Sequence, residues 1–361
     1  MLFRLLAVAD GHTPALTPKL VDPRAGPVTF KLAAHDLDKR DPALVLKGRV
    51  LDEDRKPVAG AVVEPWGFQK GQRGQGGGLK GFDHLAVTNN KGEFRLGVPE
   101  PGLEVWVQVG ARFMAAQKAW LLAGPKAHDL TLVTGASVTG RLLKDGKPLA
   151  GVAVGLAQKS RDPFTFVGDF QAATDEMGVF RIPHVLPRVE YFLYGKMDSL
   201  RAHGAIAVKE VRTGASGAEV DVGDLAVAPG HKLTGQVVLA DDKPVPEGAR
   251  VLVSREEAWD TQQAVVDKDG HFALEGLPPE RYSLSVRVPG YRLSPKNGSY
   301  DLLGGFRLLG VVRSDIKSLR VLLEKGEGPD RLPTFDQKRH KEYQRLRDAP
   351  LRGAPEEGRA K

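Results

Sequence analysis

The chain has 361 residues, no cysteine, and 42 glycines with 25 prolines, together about 19% of the sequence against an ordinary share of roughly 12%. The lack of cysteine excludes a disulfide scaffold, a thiolate nucleophile and every cysteine-based metal or iron–sulfur site. No apolar run approaches the ~18 residues of a membrane-spanning helix, and a net charge of +7 from 52 basic and 45 acidic residues is a modest excess that does not point to nucleic acid.

Met1 to Ala9 (MLFRLLAVA) has the outline of a signal peptide. A secretory core needs ~7–15 apolar residues, whereas the five from Leu5 to Ala9 end at Asp10-Gly11-His12. The stretch reads better as the end of a β-domain, for a reason the repeats supply.

A first signature begins at Leu46-Lys47-Gly48-Arg49-Val50-Leu51 and continues with Lys56-Pro57-Val58-Ala59-Gly60. It recurs at Val138-Thr139-Gly140-Arg141-Leu142-Leu143 with Lys147-Pro148-Leu149-Ala150-Gly151, and at Leu233-Thr234-Gly235-Gln236-Val237-Val238 with Lys243-Pro244. The leading glycines lie 92 and 95 residues apart. A second signature follows each time: Asn89-Asn90-Lys91-Gly92-Glu93-Phe94-Arg95-Leu96, Asp175-Glu176-Met177-Gly178-Val179-Phe180-Arg181-Ile182, and Asp267-Lys268-Asp269-Gly270-His271-Phe272-Ala273-Leu274. Two linked signatures in one order, three times, make this a repeat protein.

The chemistry of both is that of strands and turns. Phe94/Leu96, Phe180/Ile182 and Phe272/Leu274 are apolar at a spacing of two, the pattern of a half-buried strand. Asn or Asp opens the preceding turn with a side-chain hydrogen bond, and glycine supplies the positive φ. Gly48, Gly92, Gly140, Gly178, Gly235 and Gly270 are accordingly expected to be structural turn glycines. Val105/Val107/Val109 and Tyr282/Leu284/Val286/Val288 add a further strand at the same period. Short strands with regular turn punctuation predict a sandwich or barrel.

Three domains are expected, at 45–135, 136–230 and 231–325, joined by short connections as a semi-rigid rod. Residues 1–33 resemble the last third of another repeat, with Val28–Leu32 matching the repeat-ending strand Leu319–Leu323. The chain therefore looks N-terminally truncated. Residues 327–361 are rich in both charges and are expected to be a charged, mostly disordered tail. Interleaved acids argue against a nucleic-acid role for Lys338, Arg339, His340, Lys341, Arg345 and Arg347.

These signatures resemble the carboxypeptidase regulatory-like domain family over residues 46–326, with 1–33 as a partial copy. The resemblance implies an all-β chain of tandem seven-stranded Greek-key, transthyretin-like β-sandwich domains. It further implies an accessory, spacer or interaction role. In that family the sandwich carries no catalytic residues, similar modules occur in tandem in bacterial surface and exported proteins, and the wider fold group includes carbohydrate-binding modules. Two departures stand out. The Pro-x-Gly phrase becomes Pro187-Arg188-Val189 in the second repeat, and the Gly290-Tyr291 bend of the third becomes Arg112-Phe113 in the first.

Catalytic chemistry is hard to place. None of the nine histidines has Glu three residues later, as a zinc carboxypeptidase requires beside a distant His. Gly135-Ala136-Ser137-Val138-Thr139 fails as a nucleophile elbow because Thr replaces the last Gly. Asp267-x-Asp269-Gly270 fails as a calcium loop because position 12 is Pro278. The glycine-rich stretch from Gly71 to Gly81 lacks the Gly-Lys-Ser/Thr of a phosphate loop and reads as a flexible hairpin extension. If any loop meets a ligand, the candidate contacts are Trp66, Phe68, Lys70, Arg73 and Lys80, together with Trp259. Trp106, Trp120 and Tyr300 complete the aromatics that would stack on sugars; each is equally explained by core edges or seams between domains. No catalytic residue, metal or cofactor is assigned. The expected role is a non-catalytic spacer or protein-interaction array, exported and not inserted in a membrane, with a carbohydrate-binding array as the alternative.

Overall fold

A computed structural model describes residues 3–326 apart from 10, 72, 78, 298–300 and 304–306. The charged tail and Tyr300 therefore lie outside the described residues. A two-stranded hairpin, β1 (Leu6–Ala7) and β2 (Ala15–Leu16), comes first. The next eight strands are β3 (Val45–Leu51), β4 (Val62–Lys70), β5 (Arg73–Gly76), β6 (Ala86–Val87), β7 (Glu93–Gly97), β8 (Glu104–Gly110), β9 (Gln117–Leu122) and β10 (His128–Thr131). They form one sheet in the order β10-β3-β7 and another in the order β5-β4-β8-β9, with β6 also on β4. Leu46, Val50, Phe94 and Leu96 of the first sheet meet Val63, Val105, Val107 and Leu121 of the second in one core.

The plan repeats. The second set is β11 (Ala136–Lys144), β12 (Lys147–Pro148), β13 (Ala153–Gln158), β14 (Asp169–Ala173), β15 (Val179–Val185), β16 (Glu190–Gly195), β17 (Lys209–Arg212) and β18 (Glu219–Ala226), with one helical turn, α1 (Met197–Leu200). The third is β19 (His231–Leu239), β20 (Arg250–Arg255), β21 (Thr261–Val265), β22 (His271–Leu277), β23 (Arg281–Arg287), β24 (Tyr291–Leu293), β25 (Asp301–Leu303), β26 (Arg307–Val311) and β27 (Ile316–Lys325). All three sets share a sheet of three strands facing a sheet of four. In the three-stranded sheet the first strand runs between the second-signature strand and a parallel final strand, β10, β18 or β27. The chain is thus an all-β array of sandwiches, with short extra strands at sheet edges.

The two signatures meet face to face. Gly48 pairs with Phe94, Gly140 with Phe180 and Gly235 with Phe272 across antiparallel ladders. These three glycines are not turn residues. They sit inside strands, and a methyl group on them would lie 2.8, 2.9 and 2.7 Å from the facing ring. The requirement is close approach of the phenyl ring and the parallel strand rather than a left-handed backbone. Gly92, Gly178 and Gly270 do take the expected left-handed conformation, with φ of 72°, 73° and 83°. Asn89, Asp175 and Asp267 each accept two backbone N–H groups, two and four residues on. Asp267 is therefore already engaged by its turn.

The two departures also have a geometric counterpart. Arg188 stands at φ 58° where the first set has Gly102 at 73°, and Phe113 stands at φ 66° where the third has Gly290 at 77°. The bend thus falls on Phe113, one residue later than the sequence alignment places it. A left-handed conformation costs a non-glycine residue roughly 1–2 kcal/mol, partly offset by the extra unfolded-state freedom of glycine. Arg188→Gly is therefore expected to stabilise the second sandwich by about 0.5–1 kcal/mol. Thermal denaturation would show a rise of a few degrees, and Gly102→Ala a comparable fall in the first.

Charge pairs bridge the parallel strands. Arg49 and Arg55 both contact Asp129 of β10, and Arg141 grips Asp224 of β18 through Nε and Nη2 at 2.9 and 2.8 Å. Hydrogen bonds from Arg49 first, then Arg55, hold the Asp129 carboxyl below its ordinary value, and those from Arg141 do so for Asp224. A lowered carboxylate contributes stability above its unfolded pKa and loses it as pH falls through the folded value. Asp224→Asn should therefore flatten part of the thermal-stability loss expected as pH falls through about 4 and below.

The N-terminal segment departs from expectation. Residues 28–32 form no strand. The chain docks onto the first sandwich from His35 onward: His35 Nε2 meets Asp83 Oδ2 at 2.7 Å, and Arg40 donates to the Val98 carbonyl.

Candidate functional site

The ligand-contact residues named from sequence scatter. Phe68 is buried and stacks on Phe82 at 5.6 Å inside the first core, so it is a packing residue and not a surface contact. Lys70 is paired with Glu100, and Lys80 is exposed. Arg73 begins β5, so the glycine-rich stretch is partly an edge strand and not only a flexible loop: Gly67 to Lys70 pair with Gly76 to Arg73. Gly67 and Gly74 have a purpose. A methyl group at Gly67 would lie 2.2 Å from the Trp106 ring and one at Gly74 3.3 Å from it. The indole is seated against bare glycine backbone.

Trp106 alternates with Val105 and Val107, so it emerges on the face opposite the core. Its cross-strand partner is Trp120 of β9, and Trp66 lies beside it at the β4 bulge, with ring centroids 5.1 Å apart. This tryptophan row is partly covered. Phe164, from the loop between β13 and β14 of the second sandwich, touches all three rings at 5.1–6.0 Å. Lys118 sits 4.2 Å over the Trp66 ring and donates to the Pro163 carbonyl at 2.6 Å. Burial beneath the loop lowers the Lys118 pKa. The indole N–H groups of Trp66 and Trp106 are buried without a hydrogen-bond partner.

On its other side the same loop meets the third sandwich. Phe166 packs on Trp259 at 5.2 Å, with the Arg161 guanidinium over both rings. The deeper seam between second and third sandwiches is ionic. Arg255, its side chain wholly inaccessible, binds Glu280 through Nε and Nη2 at 2.8 and 2.6 Å. It also donates to the Gly195 and Ile206 carbonyls of the second sandwich. Asp260, 3.7 Å from Arg255, accepts the Met197 N–H at the start of α1. Burial raises the Asp260 pKa above its ordinary value. For Arg255, burial opposes the charge, but the hydrogen bond and charge of Glu280 outweigh it and raise the pKa. Met197 itself lies in the third core, so α1 is a plug from one sandwich into the next.

Sequence reasoning missed Phe164, Phe166 and Arg255. A signal existed for Arg255: it falls at an inward position in the alternation Val251, Val253, Arg255. Among the described residues, no group of three or more His, Asp or Glu side chains is placed to hold a metal ion, and no helix is long and apolar enough to cross a membrane.

No curated protein matches the chain. Among solved structures it is similar to the Bacillus anthracis TIE protein, with 14% identity, 78% of this chain and 50% of that one covered, and a TM-score of 0.22. The chain thus spans half the length of that protein. It is also similar to a Streptococcal ancillary pilin (14% identity, 79% and 100% covered, TM-score 0.26) and to the minor pilin of Streptococcus agalactiae (15%, 55% and 100%, 0.26). The family model of the carboxypeptidase regulatory-like domain matches residues 232–299, which run from β19 into the loop after β24. The family match thus falls within the third sandwich of this chain.

Proposed function

We propose that the chain is a non-catalytic array of sandwich modules, divided at 45–135, 136–230 and 231–325, that acts as a spacer and protein-interaction element outside the cytoplasm. The observation that carries this reading is the use of the largest and most costly side chains between modules. Arg255 and Phe164 serve junctions, and a junction closed around a buried charge holds one orientation. Export rests on the kind of protein in which similar tandem modules occur. The test is surface labelling of intact producing cells with an antibody to the folded array. Labelling without permeabilisation supports the reading, and labelling only after lysis overturns the exported half of it.

Carbohydrate binding is the second reading, favoured by one observation. Trp120 and Trp259 remain 43% and 53% exposed, so each offers an open ring face for stacking. Retention on an insoluble polysaccharide that is lost with Trp259→Ala would put this reading first.

A further inference from the structure

All four tryptophans of the chain stand against a single loop, residues 159–168 between β13 and β14. The loop is preformed by its own module. Buried Gln158 accepts the Val167 N–H at 2.7 Å and donates to the Thr165 carbonyl at 3.1 Å, while the Asp162 side chain accepts the Phe164 N–H at 2.8 Å. Its two phenyl rings nevertheless add nothing to that module, because neither Phe164 nor Phe166 belongs to the second core. They pack against different neighbours, Phe164 on the first sandwich and Phe166 on the third. The socket for Phe164 is equally prepared. Trp66, Trp106 and Trp120 form one cross-strand row, and Trp106 is seated against bare glycine backbone.

We infer that the tryptophan row of the first sandwich is a docking surface whose partner is the phenylalanine-tipped loop of the next module, and that this loop clasps three modules into one rigid body. A phenylalanine held out on a structured loop would otherwise be a surface liability. Here it is half-buried against the tryptophan row, reinforced by the Lys118 bond to Pro163 and by Arg161 over Phe166 and Trp259. The third module places Trp259 in its own loop between β20 and β21, the topological equivalent of 159–168. The same loop position therefore supplies both halves of the aromatic contact at the second junction. Orientation along the array is set by side chains and not by the short covalent connections. This rigidity is independent of what the array displays or where it resides.

The absence of cysteine from the chain makes the test direct. Spin labels on Lys91→Cys and Lys147→Cys, both exposed, report the distance between the first and second modules, and labels on Lys147→Cys and Lys268→Cys report the second junction. The expected result is one narrow distance distribution for each pair in the otherwise unaltered chain. Phe164→Ala should abolish the narrow distribution of the first pair and leave the second pair narrow. Trp120→Ala, which alters the socket and touches no core, should reproduce that loss, and the double variant should add little to either single one. A broad first-pair distribution in the unaltered chain, or a narrow one that survives both substitutions, would overturn the inference.

Discussion

Arg255→Met is expected to be the most damaging single side-chain truncation at the second junction. The guanidinium is wholly enclosed and satisfies Glu280, Asp260 and two carbonyls of the neighbouring module at once. Methionine fills much of the volume but leaves two carboxylates facing each other across a dry seam. Removing one partner of a buried ionic network typically costs about 3–5 kcal/mol, which for a domain of this size lowers the melting temperature by roughly 15 °C or more. The pH dependence distinguishes this cause from simple loss of packing. The Asp260 carboxyl is already raised by burial, and loss of the cation raises it further. A raised carboxyl contributes stability that is present below its unfolded pKa and lost as pH rises through the folded one. The deficit of the variant relative to the parent should therefore shrink as pH falls toward the unfolded carboxylate range. A deficit that stays constant over that fall in pH would mean that the charge network is not what the arginine serves.

The sandwich framework was legible because its signals are local. An Asn or Asp four residues ahead of a strand with glycine between is a complete turn instruction, and Phe-x-Leu states which face is buried. What one strand does to another was not legible. Gly48 and Phe94 lie 46 residues apart, and only the folded ladder shows that the glycine exists to seat the ring. The junctions were less visible still. Phe164 sits in a sequence of turn-like composition, and its partners come from three strands of a different repeat. The glycine-rich stretch reads as a loop in the sequence, whereas one of its glycines, Gly74, lies with Gly67 of β4 under the Trp106 ring. Phe68 was misplaced for a related reason. It follows a bulge between Pro65 and Gly67, which flips the inward and outward faces of the strand beyond it.

Gly235→Ala is expected to destabilise the third sandwich by about 3 kcal/mol, at the upper end of what overpacking ordinarily costs. The added methyl group would stand 2.3 Å from the Leu319 carbonyl oxygen of the parallel strand and 2.7 Å from the Phe272 ring. The ring can rotate or be trimmed, but the carbonyl belongs to a ladder and cannot. Combining Gly235→Ala with Phe272→Leu should therefore recover only part of the loss. Gly48→Ala should behave alike in the first sandwich, because the His128 carbonyl stands at the same 2.3 Å. Gly140→Ala should be milder. Its nearest obstacle is the Val222 side chain at 2.6 Å, with the Gly223 carbonyl farther off at 3.1 Å. The reference is Gly146, a left-handed turn glycine with nothing within 4 Å of an added methyl group; there alanine meets only backbone strain, roughly 1–2 kcal/mol. Thermal denaturation of the four variants should rank Gly235 and Gly48 as worst, then Gly140, then Gly146. Equal losses at Gly235 and Gly146 would mean that backbone conformation, and not the approach of ring and strand, is what these strand glycines provide.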